Sequence, residues 1–379
     1  TARMLGEARR HEVGAVLRRG IAFALQIGVV SMIALIALGP WGLGLMGLED
    51  GLAEGAGPAL IVFSLSMPFY LLSATSQFFI EALGRPRMSM AAIWVANGVN
   101  LALNLVLVPD LFGVGVDGAF APAWATFGAR AALAIFLLVY ILRLPEARAL
   151  GVFDRPRRAP AAAREQMKVG LGAGRSYVIG VGAFAAMTFI AGQIGAMETA
   201  AWAVVLNVSA IVFMIPMGLS SATAVLVGRA YGAGDGQGVL RAGLVGLAVV
   251  TGLTLVVALV VWPTAGLITA AYNRDPALLA IAAPALVLAT LFFVADGIQV
   301  VAAQANRAAG DVWWPTIMHF TAYGAIMMPL GWVLAHRIGV DGLVWAVIIA
   351  SLASSTLLAG RFVRVARRQS GAALAENTV

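Results

Sequence analysis

Long apolar runs alternate with short polar connections through almost the whole chain. Runs able to cross a bilayer, which takes about 20 helical residues each, lie near 20–39, 58–80, 89–108, 119–142, 169–191, 199–227, 240–262, 277–303, 313–335 and 342–362. They are continuous and lack the alternation of about ten-residue segments that marks barrel strands, so they predict ten transmembrane helices. Short connections make consecutive helices antiparallel neighbours in a bundle. The exception is 143–168, a stretch with Pro145, Pro156, Pro160 and seven cations. This polar tether on the cytoplasmic side separates 1–142, with four helices, from 169–362, with six, and 363–379 forms a polar tail.

Val16-Leu17-Arg18-Arg19-Gly20 returns as Val239-Leu240-Arg241-Ala242-Gly243, and Gly115-Val116-Asp117-Gly118 returns as Gly339-Val340-Asp341-Gly342. The offsets are 223 and 224 residues, and each copy borders an apolar run, so the pattern reads as two copies of one membrane unit. Residues 169–229 have no counterpart in the first copy, because a shift of 223 falls before residue 1. The expectation is an all-α integral membrane protein of two pseudo-symmetric lobes, truncated from a twelve-helix design that lacks its first two helices here.

Composition agrees with lipid as the solvent: 61% of residues are hydrophobic and 11% charged, against about 45–50% and about 25% in soluble domains. A net charge of +7 raises the question of a nucleic-acid partner, and the placement of the charges answers it. Of 25 Lys and Arg, 21 fall in alternate connections, while Arg274 and Arg337 lie on the other side and Arg130 and Arg175 lie inside spans. By the positive-inside rule both ends of the chain face the cytoplasm, so the basic character is topology and no nucleic acid is expected. Arg outnumbers Lys by 24 to 1, and with abundant Ala and Gly this points to a bacterial gene and a bacterial inner membrane.

Enzyme chemistry finds no footing. There are no cysteines, which removes disulfides and thiolate metal sites. Walker lysine, HExxH and GxSxG motifs are absent from the sequence. Gly113 to Gly118 spells GxGxxG, yet it joins two membrane spans instead of a strand and a helix, so the dinucleotide reading fails. No cofactor is expected beyond a coupling ion, and the chain is expected to act as a monomer.

The sharpest residue is Asp296, in the eighth span. A carboxylate in a membrane helix costs at least about 2.5 kcal/mol on insertion scales, so it faces the bundle interior and is protonated, paired or ion-bound. Gln299, at i+3, shares its face and supplies an amide beside it. Asn97, Asn100 and Asn104 recur at steps of three and four, form one polar stripe on the third span and are candidates to line a substrate cavity. Asn207 and Ser209, ahead of Pro216, are candidates to line the same cavity from the second lobe. Arg130 lies mid-span with no carboxylate placed to meet it, Arg175 lies close enough to its span end to snorkel, and both are further candidates for the substrate cavity. Glu81 and Arg85 read as an i, i+4 ion pair, and His319 as a core histidine. Pro68, Pro216, Pro284 and Pro329 each remove a backbone donor and bend a helix.

Phe213-Met214-Ile215-Pro216-Met217-Gly218, continuing to Val227-Gly228 and Gly232-Ala233-Gly234-Asp235, resembles a signature of the multidrug and toxic compound extrusion (MATE) transporters. Asp296-Gly297-Ile298-Gln299, followed by Arg307 and Asp311, resembles the tenth-helix motif of the family's NorM-like branch. Asn100 and Asn104 with Gly113 to Gly118 resemble the region of its fifth and sixth helices. Where that branch usually has a glutamate on its seventh helix, Gly180 stands here. The resemblance implies two six-helix lobes around a cavity and export of small organic cations in exchange for Na⁺ or H⁺ by alternating access. It places ion coupling on Asp296, with Na⁺ as one candidate ligand. The competing expectation is a flippase or exporter of lipid-linked anionic precursors, which buried Arg130 and Arg175 would suit, or a fragment without transport activity.

Overall fold

The computed structural model describes residues 1–45, 50–111, 113, 118–155 and 159–376, and every regular element among the described residues is helical. Nine of these helices are long and apolar enough to cross a membrane, and one bent pair, taken as a single span, makes ten. The chain divides into two compact units, essentially Arg3–Arg158 and Ala159–Val379.

The N-terminal unit contains α1 (Ala2–Gly6), α2 (Val13–Leu45), α3 (Asp50–Leu65), α4 (Met67–Ala82), α5 (Pro86–Leu107) and α6 (Phe120–Leu142). Helix α2 packs on α3 and α4, and α6 packs on α4 and α5. The α3 and α4 pair is bent by 40° at Ser66, and Pro68 stands in the first turn of α4, where its missing N–H costs no helical bond. Gly28 of α2 permits the elbow's approach: a Cβ there would stand 2.6 Å from the Pro68 Cα.

Arg130 of α6 is held at this elbow without any carboxylate. Its Nη1 donates to Ser66 Oγ at 2.6 Å, and its guanidinium carbon lies 5.0 Å and 4.9 Å from the ring centroids of Phe63 and Tyr70. One ring comes from each arm of the bend, so a hydroxyl and two π faces replace the missing counter-ion. Ser66→Ala leaves that donor unmatched and is expected to cost about 1–3 kcal/mol. The readout is a lower apparent melting temperature of the purified protein; an unchanged midpoint would show that the rings suffice.

The segment after α6 is folded. Leu144, Ala147, Leu150 and Val152 are buried in one cluster with Val13 and Leu17, and Arg18 donates to the carbonyls of Gly151 and Val152. The apolar residues of this stretch outweigh its charges and dock it on α2, where Gly14 N–H donates to Leu150 O at 2.7 Å. Pro156, Arg157 and Arg158 lie outside the described residues, and α7 starts at Pro160. The expected Glu81–Arg85 pair does not form: Arg85 bonds Glu146 at 2.9 Å and Tyr140 Oη at 3.2 Å, while Glu81 accepts from Ser89 at 3.1 Å. An i, i+4 pair requires an unbroken helix, and α4 ends at Ala82.

The C-terminal unit contains α7 (Pro160–Ile194), α8 (Ala196–Gly232), α9 (Gly236–Tyr272), α10 (Pro276–Ala308), α11 (Trp313–His319), a π-helical segment Phe320–Met327, α12 (Met328–Ile338) and α13 (Val340–Glu376). Helix α10 packs against α8, α9 and α13, and Trp202, Leu286, Phe293, Met327, Leu343 and Val347 belong to the core they share. The outside is apolar too: Leu267 is 76% and Val178 73% exposed, as expected of side chains that meet acyl chains. Gly234 takes φ +71° to reverse the chain between α8 and α9, and Asp235 then caps α9 by accepting from Gly238 N–H at 2.8 Å, an N-cap bond. Pro216 and Pro284 stand inside α8 and α10, which run through without a break, and Pro329 is in the first turn of α12.

Candidate functional site

Asp296, Gln299, Val300, Ala303, Gln304 and Arg307 follow one another on α10 at steps of three, one, three, one and three, and such spacing puts them on a single helix face. All six line a cavity of about 470 Å³ inside the C-terminal unit. The facing wall is built from Ser176, Tyr177 and Phe184 of α7, Ser209 and Phe213 of α8, His319 of α11 and Tyr323 of the π-helical segment. The lining is mostly apolar and aromatic, with few polar groups, as in sites that select small amphiphiles.

Asp296 is the one carboxylate among the lining residues, and it is 9% exposed. Gln299 Nε2 donates both to Asp296 Oδ1 and to Tyr323 Oη, and the Tyr323 hydroxyl donates to Asp296 Oδ1 at 3.4 Å. The wider turn of a π-helix shifts the register of the side chains that follow, a feature frequent at functional sites, and Tyr323 lies within this one. Gln299 Oε1 is buried and has no donor. An acid, an amide oxygen without a donor and a phenol oxygen are the hard oxygen ligands that suit a small cation. Among the described residues no group of three or more His, Asp or Glu side chains gathers to hold a metal, so a cation here rests on a single formal charge.

At the other end of the stripe Arg307 Nη2 donates to Ser176 Oγ at 2.6 Å and Nη1 donates to Gln304 Oε1 at 3.0 Å. Asp311, four residues on, is engaged elsewhere: Arg361 Nε meets it at 2.6 Å, and Arg361 also stacks on Trp314 at 5.2 Å.

Of the sequence candidates for a cavity, Asp296, Gln299 and Ser209 line this one, and Gly180 and Phe213, named in the family resemblance, line it too. Asn207 is exposed and accepts from Tyr272 Oη at 2.6 Å; two residues along a helix turn the side chain by about 200°, so it cannot share Ser209's direction. Asn97, Asn100 and Asn104 belong to α5 of the N-terminal unit, where Asn97 is exposed and Asn104 Nδ2 donates to Asn100 O at 2.9 Å and to its Oδ1 at 3.2 Å. Arg130 is at the α3–α4 elbow. Arg175 is exposed, with its guanidinium carbon 5.3 Å from the Trp313 ring centroid. Residues 114–117 of the glycine-rich turn lie outside the described residues.

Tyr323, His319, Ser176, Gln304 and Arg307 were not among the sequence candidates for the cavity. Gln304 and Arg307 were within reach, since continuing the stripe from Asp296 at helical spacing arrives at both.

The model of the MatE family matches residues 1–106 and 175–333, and the chain belongs to that family. It is 50% identical over 364 residues to the probable multidrug resistance protein NorM of Caulobacter vibrioides, covering 96% of this chain and 77% of that protein. It is 34% identical over 315 residues to a probable NorM of Rhizobium meliloti, covering 81% and 67%, and 30% identical over 367 residues to multidrug resistance protein PmpM of Pseudomonas aeruginosa, covering 94% and 76%. The fold matches a MATE crystal structure in a bent conformation with TM-score 0.89 at 15% identity, covering 98% of this chain and 82% of that one. It also matches the eukaryotic MATE transporter AtDTX14 with TM-score 0.84 at 15% identity, covering 98% and 84%. Family membership places the chain among multi-pass membrane transporters and not among enzymes.

Proposed function

We propose that this chain is a secondary multidrug exporter that moves small organic cations out of a bacterial cell across the inner membrane, in exchange for Na⁺ or H⁺ bound at Asp296. The observation that carries the reading is the lone acid in the wall of a largely apolar cavity, bonded to a glutamine and a tyrosine rather than to a basic partner. Aromatic and aliphatic lining favours a flat amphiphile, and a negative pole favours a positive one. The names of the relatives, which speak of multidrug resistance, support a drug-like cargo.

In this reading the cavity opens alternately to the two sides of the membrane. A cation arriving from outside neutralises Asp296 and loosens the substrate's hold in the outward state, and its release inside restores the charge. The chain works as a monomer with both ends in the cytoplasm, the side on which 21 of its 25 Lys and Arg are expected.

The test is export of a fluorescent organic cation from vesicles of purified protein, with a Na⁺ gradient and a proton gradient imposed separately. One of the two gradients is expected to drive accumulation against the dye's own gradient, and preloaded unlabelled substrate to speed exchange. Flux that only runs downhill and shows no such trans-stimulation would make the protein a channel and defeat the proposal.

A further inference from the structure

The cavity of the C-terminal unit has a second charged pole, and among the described residues no ion pair answers it. Arg307 lies eleven residues from Asp296 on the same stripe of α10, which at about 1.5 Å per residue is about 16 Å along the axis. That is far beyond the roughly 4 Å of an ion pair. Asp311, near in sequence, is taken by Arg361 at 2.6 Å. Among the described residues Arg307 meets only neutral acceptors, Ser176 Oγ and Gln304 Oε1, and its Nε is buried with no acceptor at all.

A guanidinium carries five N–H donors in a planar fork made for two oxygens of one anion. Two of those donors are spoken for by neutral groups, and the side chain borders the cavity. From the other elements packed round it, α7 contributes Ser176 and Tyr177 and α11 contributes His319, and among the described residues lining the cavity no carboxylate stands beside it. A hydroxyl and an amide orient the fork and leave its charge unneutralised.

We propose that Arg307 forms an anion-recognising subsite of this cavity, which receives the carboxylate of a zwitterionic aromatic substrate whose cationic group lies toward Asp296. The site then sorts cargo by dipole as well as by charge: a molecule with a positive end and a negative end satisfies both poles, whereas a simple cation leaves Arg307 unmatched. This rests on the cavity being the substrate site, as in the export reading above.

The experiment uses purified protein in nanodiscs of zwitterionic lipid and two dyes that differ at one group, a rhodamine with a free carboxylate and its methyl ester. Fluorescence anisotropy gives the affinity for each, and the quantity read is the preference for acid over ester. Arg307→Gln is expected to lower that preference at least about tenfold, the scale of a lost charge-assisted bond, and Arg307→Lys to recover part of it. Arg241→Gln, which removes an exposed cation at the start of α9, serves as the control for general electrostatics. A preference unchanged in Arg307→Gln, or lowered equally in Arg241→Gln, overturns the subsite while ester binding leaves the export reading standing. Wild-type protein that binds neither dye overturns both.

Discussion

Asp296→Asn is expected to reduce gradient-driven efflux to the background of protein-free vesicles. The replacement keeps the size and shape of the side chain and an oxygen for Gln299 Nε2 to bond, so the packing of α10 against α8, α9 and α13 has no reason to fail. What it removes is the ability to carry a negative charge and to give or take a proton or a metal ion. Of the cavity's lining residues only Asp296 is a carboxylate, so no neighbouring acid stands ready to take over the task. The measurement compares efflux of a fluorescent cation with and without each ion gradient, in vesicles holding equal amounts of wild-type and variant protein. Monodisperse elution of the variant shows that it is folded. Efflux that still responds to the gradient at the wild-type rate would remove Asp296 from the mechanism and leave the coupling to a group elsewhere in the chain.

What could be read from the sequence follows from how local each signal is. The ten spans were legible because length and hydropathy are properties of a single segment, and Asp296 with Gln299 because both lie on one helix three residues apart. Tyr323, which completes that group, is 27 residues from Asp296, and Ser176 is 131 residues from Arg307; only tertiary packing brings them in. The π-helical segment has no propensity signature in Phe320–Met327, so the sequence offered no warning of it. Arg307 also belongs to the charge asymmetry that sets topology, and in the sequence that role obscures its place in the cavity wall. A buried cation usually meets a carboxylate, and Arg130 is met by Ser66, Phe63 and Tyr70, a combination no single segment announces. The repeated Gly-Val-Asp-Gly turn also behaves differently in its two copies. Gly118 takes φ +58° with open space around it, whereas its counterpart Gly342 has no positive φ and is packed against the backbone of Leu334.

Gly342 of that second copy is expected to tolerate no side chain. It sits in the first turn of α13, directly after Gly339 ends α12 by donating to Ala335 O at 2.9 Å, so the two helices meet at a turn with no spare residues. A Cβ on Gly342 would press on the backbone carbonyl of Leu334 and stand 2.7 Å from the Ala335 nitrogen. Backbone cannot rotate away as a side chain can, and the neighbours Ala335, Val340, Leu343 and Val344 are all buried in the core of the unit. Relief therefore requires α12 and α13 to separate, with a cost of about 1–3 kcal/mol typical of an overfilled core. Gly342→Val should show a clearly lower apparent melting temperature and a smaller monodisperse yield in detergent. Gly252→Val is the matched comparison: Gly252 lies within α9 with nothing inside 4 Å of the position a Cβ would take, so only the small difference in helix propensity applies there. If the two variants melt together, the close approach of α13 to α12 is not what holds this end of the unit.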